Sequence, residues 1–196
     1  MHHAFQAIVE TFLANEIGIC DFFVSPEMAL GLRANINALE EKNQLNAASI
    51  GSNHQLALNT SFRNDKILWL DRIHENKVET EFLDIIDAFI LFLNTTCYTG
   101  IKSSEFHYAL YDTGSFYKKH LDQFNQNTSR QFSMILYLNE NWQINDGGEL
   151  CIYKQEIKQL IEPTNCKLVF FKSSDLLHEV LITNKPRLSV TGWLKL

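Results

Sequence analysis

Apolar residues return every third and fourth position in three stretches of the first half of the chain. Phe5, Ile8, Val9 and Phe12 form one stripe, and Ala29, Leu32, Ile36 and Leu39 a second. Phe82, Ile85, Ile86, Phe89, Ile90 and Leu93 form a third, broader one. Such spacing gathers side chains on one helix face, so it predicts three amphipathic helices: one near the N-terminus, one from Ser25-Pro26 to about Glu41, and one over residues 78–94. Ser25 suits the N-cap and Pro26 the first turn. A short strand is expected at 17–24. Residues 43–64 are rich in Asn and Ser, show no sustained period, and predict an irregular loop of the kind that serves as a lid or binding element.

After about Phe106 the character changes to short strands. Strands are expected at 106–111, 131–138, 149–153, 167–171, 179–182 and 187–196, separated by turn-formers such as Asp112-Thr113-Gly114 and Asn145-Asp146-Gly147-Gly148. Many short strands without intervening helices favour a sandwich or jelly roll. The expected class is α+β, a double-stranded β-helix (jelly roll) core supported by N-terminal helices. One domain is expected over 1–196, with 1–104 as mainly helical support plus the loop and 105–196 as the core.

Charge and cysteines narrow the partners. A formal charge of -6 gives no basic surface for a phosphate backbone, so nucleic acid is not expected. Cys20, Cys97, Cys151 and Cys166 form no C-x-x-C pair and are expected as free thiols in a reducing compartment. The N-terminal stretch has no basic region before an apolar core, and Glu10 and Glu16 interrupt it; neither a signal peptide nor a membrane span is expected, and the localisation expected is cytoplasmic.

The candidate chemistry begins at His120-Leu121-Asp122 and His178. Two imidazoles and a carboxylate suit a divalent iron held on one face, with the other positions open. A His-x-Asp triplet is cheap, however: this composition gives roughly 0.3 by chance. Two residues apart on a strand or at its end, the pair projects to one side and can meet one ion. Arg187, nine residues after His178, offers a planar fork for a carboxylate; its alternative is an exposed strand residue after a proline turn. His2, His3, His54, His74 and His107 lack ligand spacing and are expected at the surface or as satisfied core residues.

A wider set of segments carries a resemblance. Phe116 to Asp122, Leu136-Tyr137-Leu138-Asn139, Gly147-Gly148-Glu149-Leu150, Leu168-Val169-Phe170-Phe171 with His178-Glu179-Val180, and Arg187 with Trp193 resemble the iron(II)/2-oxoglutarate dioxygenases of the prolyl 4-hydroxylase superfamily. The likeness is to the prolyl hydroxylases that modify the hypoxia-inducible transcription factor and to their bacterial relatives. Gly18-Ile19-Cys20 resembles their first strand, and Arg63-x-Asp65-x-x-x-Trp69 the segment after their mobile substrate loop. Collagen-type enzymes typically place Lys in the clamp position, so Arg187 narrows the choice.

The resemblance implies that His120, Asp122 and His178 bind iron and that Arg187 and Tyr137 hold the distal carboxylate of 2-oxoglutarate. It places Tyr111, Thr191 and Ile135 in the co-substrate pocket. Tyr117, Arg130 and Trp193 fall around a target proline, with Arg63, Asp65 and Trp69 on or beside the covering loop. Core packing is the alternative role for these aromatics. The implied cofactors are iron(II), 2-oxoglutarate and O2, with ascorbate as an optional addition; the implied reaction hydroxylates a prolyl residue in a protein or peptide while 2-oxoglutarate gives succinate and CO2. A hydroxylase of a free amino acid or metabolite is the alternative in the same chemistry, and a non-catalytic jelly-roll binding protein the alternative of another class.

Overall fold

The computed structural model describes residues 2–49, 59–123, 128–154 and 157–196. Three helices, α1 (His2–Asn15), α2 (Pro26–Glu41) and α3 (Lys77–Thr96), fall on the three apolar stripes. Ser25 Oγ accepts from the Met28 N–H and Asn76 Oδ1 from those of Val78 and Glu79, so both longer helices begin where a side-chain oxygen satisfies the first open donors. Phe5 and Ile8, then Ala29, Leu32 and Ile36, then Phe82, Ile86, Phe89 and Leu93 are buried in one shared core.

The strands are β1 (Ile17–Cys20), β2 (Asn46–Ala47), β3 (Lys66–Trp69), β4 (Ser103–Tyr111), β5 (Tyr117–His120), β6 (Arg130–Tyr137), β7 (Leu150–Lys154), β8 (Ile157–Ile161), β9 (Leu168–Lys172), β10 (Leu177–Val180) and β11 (Arg187–Lys195). Among the described residues they form a seven-stranded sheet, β1-β9-β6-β11-β4-β3-β2, and a four-stranded sheet, β5-β10-β7-β8. Neighbouring strands of both sheets pair antiparallel. Strand alternation divides the large sheet into two faces. Phe106, Tyr108, Leu110, Met134, Leu136, Leu168, Phe170 and Val190 turn to the helices. Ile135, Tyr137, Val169 and Phe171 turn inward to meet Leu150 and Ile152 of the small sheet. This helix-backed sandwich is the jelly-roll core expected.

Several boundaries move for physical reasons. The strand expected at 17–24 ends at Cys20, because after the turn at Asp21 the exposed Phe22 gives way to Phe23 and Val24, which pack into the helical core. The 43–64 loop contains β2, which pairs with β3 through Asn46↔Ile67 and Ala47↔Lys66; residues 50–58, with His54, lie outside the described residues. β10 starts at Leu177, so His178 sits inside the strand, not ahead of it. β3, β5 and β8 were not among the strands expected after Phe106 or before it; β5 is Tyr-Lys-Lys-His and β8 is exposed over Ile157–Leu160, so neither shows a clean apolar alternation. All four cysteines are free. No described helix is long and apolar enough to cross a membrane.

Candidate active site

A cavity of about 650 Å³ opens on the inward face of the large sheet, bounded by the small sheet on the other side. Its floor is set by register. Arg187, Ser189, Thr191 and Trp193 alternate along β11, opposite Tyr111, Ala109, His107 and Glu105 of β4. On the other flank Thr191 lies opposite Ile135 of β6 and Trp193 opposite Ser133. Every second residue of three neighbouring strands therefore faces one space.

Ligand-type atoms of His120, Asp122 and His178 lie within 4.8 Å of one another at the base of this cavity. His178 is the cross-strand partner of His120, which brings together two residues far apart in the chain. Asp122 Oδ1 is 3.4 Å from His120 Nε2, and Oδ2 is 3.6 Å from His178 Nε2. The other ring nitrogens are committed: His120 Nδ1 lies 2.8 Å from the Lys118 carbonyl oxygen and His178 Nδ1 2.9 Å from that of Leu176. A carbonyl can only accept, so both Nδ1 atoms carry the proton and both Nε2 atoms present lone pairs.

The electrostatics fit a cation. Burial pulls His178 down to about 4, which leaves it a neutral donor at physiological pH. Burial would raise the Asp122 carboxyl, but His178, His120 and the Ser133 hydroxyl lower it well below the usual carboxylate range. The result is one carboxylate and two imidazole Nε2 atoms converging on one point, the donor set that suits an iron(II) ion with open positions. Tyr117 stacks on the His120 ring at 3.6 Å between centroids and 15° between planes. Phe171 meets His178 edge-on at 4.9 Å. Both rings hold their imidazoles in place.

Arg187 is 1% exposed, yet among the described residues no carboxylate pairs with it. Its Nε donates to the Gly148 carbonyl at 2.9 Å, while Nη2 has no partner. The rings of Tyr111 and Tyr137 lie 4.9 Å from Cζ, and the Tyr137 hydroxyl is likewise buried and unpartnered. A buried cation without a counter-charge is costly, so this corner is built for an anion. Gly148, at φ +66°, makes room: a Cβ there would stand 3.0 Å from Arg187 Cδ and from Thr183 Oγ1.

Thr191, Ile135 and Tyr111 line the same corner, and Leu150 and Val180 supply an apolar opposite wall. Tyr137 is behind Arg187 and does not line the cavity. Tyr117, Arg130, Trp193, Arg63 and Trp69 line the outer part. Asp65 does not: it is 1% exposed and holds the Arg63 fork through Nε at 2.7 Å and Nη2 at 2.6 Å. Burial opposes the charge on Arg63, but the Asp65 pair prevails and raises its pKa, so the cation stays over the Tyr117 ring at 4.2 Å. Arg130 lies 3.5 Å over the Trp193 ring and pairs with Glu105 at 2.9 Å.

Residues 106–195 match the 2OG-Fe(II) oxygenase superfamily. Over the whole fold, a Pseudomonas putida prolyl-4-hydroxylase is 30% identical, with a TM-score of 0.88, covering 98% of this chain and 99% of that one. The chain belongs to the 2OG-Fe(II) oxygenase superfamily. This oxygenase also shares its fold with a Trichoplax adhaerens prolyl hydroxylase solved with a hypoxia inducible factor oxygen degradation domain peptide fragment, at 22% identity and a TM-score of 0.87, over 98% of this chain and 89% of that one. Among curated proteins it is 40% identical to the prolyl 3-hydroxylase OGFOD1 of Xenopus laevis over 33% of its own length. A PKHD-type hydroxylase of Synechocystis is 29% identical over 48% of this chain. The matches span 15% and 37% of the lengths of those two relatives. Membership carries iron(II), 2-oxoglutarate and O2 with it, and the His-Asp-His cluster and the anion corner fit the first two.

Two residues of the site were not expected there: Ser133 was not singled out, and His107 was expected at the surface or as a satisfied core residue. Ser133 holds Asp122, and His107 lines the cavity. The available signal was phase: each is a polar residue on the inward phase of its strand, Ser133 with Ile135 and Tyr137, His107 with Ala109 and Tyr111.

Proposed function

We propose that this oxygenase hydroxylates a prolyl residue in a protein or peptide. The observation that carries the reading is its likeness to the Pseudomonas putida prolyl-4-hydroxylase, which extends over 99% of that chain. In this reading His120, Asp122 and His178 hold iron(II), and Arg187 receives the distal carboxylate of 2-oxoglutarate, with the Tyr137 ring packed behind its guanidinium. Tyr111, Thr191 and Ile135 line the co-substrate, and residues 1–196 act as one dioxygenase domain. When bound, iron(II) and 2-oxoglutarate would activate O2 toward an unactivated C–H bond, one oxygen atom going to the substrate and the other to the succinate released with CO2.

The residues of the chain select and shelter. The planar fork of Arg187 binds a carboxylate in one orientation, which directs the other end of the co-substrate toward the metal cluster. Ile135, Leu150 and Val180 offer no readily oxidised polar group and keep bulk water from the reacting atoms. Tyr117, Arg130 and Trp193 frame the space beside the metal cluster, and Arg63, fixed by Asp65, braces Tyr117. The cavity continues past Trp69, 45% exposed, to Asn46 and Ser49. That length supports an extended peptide in preference to a free amino acid.

The test is incubation of a proline-containing peptide library with enzyme, iron(II), 2-oxoglutarate and air, read by tandem mass spectrometry. Gain of one oxygen atom on a prolyl residue, matched by succinate, is the expected result. Oxygen gained only by free amino acids, or 2-oxoglutarate consumed without any oxidised peptide, would remove the proposal.

A further inference from the structure

His107 faces the cavity with a ring nitrogen that has no donor among the described residues. It is 3% exposed, opposite Thr191 on β11 and Trp69 on β3. Its ring meets Trp69 at 5.1 Å in an edge contact and Trp193 at 5.6 Å, so two indoles fix its plane. Nδ1 lies 3.0 Å from the Tyr108 carbonyl oxygen, which can only accept. The proton of the neutral ring is therefore on Nδ1, and Nε2 carries the lone pair. Burial pulls this imidazole down to about 4, so it stays neutral at physiological pH. No described residue donates to Nε2. Beside it, the Trp193 indole N–H is buried and also unpartnered.

His107 Nε2 is thus an acceptor with no donor among the described residues, and the Trp193 indole N–H, on a ring 5.6 Å away, is a buried donor that costs stability unless something completes it. The chemistry of that partner is constrained. Arg63 and Arg130 act on His107 against further positive charge, Asp65 acts in the opposite direction, and burial is the largest influence against a charged ring. Indoles on either side favour a flat group. A peptide amide is flat, neutral and offers a donor at every residue.

We propose that His107 is a specificity-determining residue: its Nε2 accepts a hydrogen bond from a backbone N–H of the peptide substrate close to the hydroxylated residue. This rests on the peptide-hydroxylase reading above. His107 reads the polypeptide backbone, so it distinguishes a peptide from a free amino acid or an ester without touching the metal cluster or Arg187.

Amide-to-ester replacement provides the test, since it removes one N–H and leaves the shape. The enzyme is loaded with manganese(II) and 2-oxoglutarate, the tightest binder is chosen from a proline-containing peptide library, and each amide is replaced in turn. One replacement near the proline should weaken binding roughly tenfold in the wild type. In His107→Leu the amide and ester forms should bind alike, and in His107→Gln, whose amide oxygen again accepts, the difference should return. Unaltered 2-oxoglutarate affinity checks the fold of each variant. If one variant misfolds, the wild-type scan still decides: no ester-sensitive position beside the proline overturns the inference. A sensitive position that persists in both variants removes His107 alone and leaves the hydroxylase reading standing. A library with no binder removes both.

Discussion

Ser133 donates its hydroxyl proton to Asp122 Oδ2 at 2.7 Å and lies 2.9 Å from the Ser173 hydroxyl. The single proton of Ser133 is spent on the carboxylate, so Ser173 must donate to Ser133. The Asp122 carboxylate is thus oriented by a two-hydroxyl relay from β6 and the residue after β9. Ser133→Ala should weaken iron(II) affinity by about 10- to 100-fold, the usual effect of losing a group that orients a ligand. Anaerobic titration of the metal measures it; affinity equal to wild type would show that the relay has no such role.

Arg187→Ala should weaken 2-oxoglutarate binding by about 10- to 100-fold, the range for a lost hydrogen bond to a charged group. Iron affinity should fall less. Arg187→Lys should lie between, since an ammonium restores the charge and not the fork. Calorimetric titrations of metal and co-substrate separate the two effects, and equal losses of both would refute the assignment.

Acid should destabilise the metal-free fold through His107. Its folded pKa, about 4, is depressed below the ordinary 6.5. Its contribution is therefore complete above pH 6.5 and is lost as pH falls toward 4, because the unfolded chain takes up a proton that the folded chain refuses. The loss is on the order of 2 to 3 kcal/mol by pH 4.5. Urea unfolding at pH 7 and 4.5 should show a smaller decline for His107→Met than for wild type. His178 acts in the same direction in both proteins.

Gly192 is enclosed for a reason unlike that of Gly148. A Cβ at this position in β11 would stand 2.3 Å from the Glu105 carbonyl oxygen and 2.3 Å from the Phe106 ring. Backbone cannot yield as a side chain does, so Gly192→Ala should cost about 1 to 3 kcal/mol or more. A lowered melting temperature is the readout; a melt unchanged from wild type would mean that β4 and β11 adjust without cost.

The sequence made the helices legible because each repeats a wide apolar face, and α3 confirms it with four buried residues at helical spacing. The inward strands were legible for the same reason in period two. β5 was not, because its Lys118 and Lys119 are exposed while only its ends reach the site. The fork of Arg63 on Asp65 was also invisible: side chains two apart on a chain can meet or diverge, and only the fold decides. His107 lacks ligand spacing, a criterion that finds metals and misses hydrogen-bond acceptors.

The pairing of His120 with His178 has a consequence for the life of the chain. The two positions are 58 apart in sequence and meet only when β5 and β10 align. Such distant contacts close late, after the entropy of a long loop has been overcome. An emerging or half-folded polypeptide therefore has no three-donor trap with which to capture an ion. Metal loading becomes a checkpoint on completed topology, and oxidising chemistry is withheld until the walls that contain it are in place.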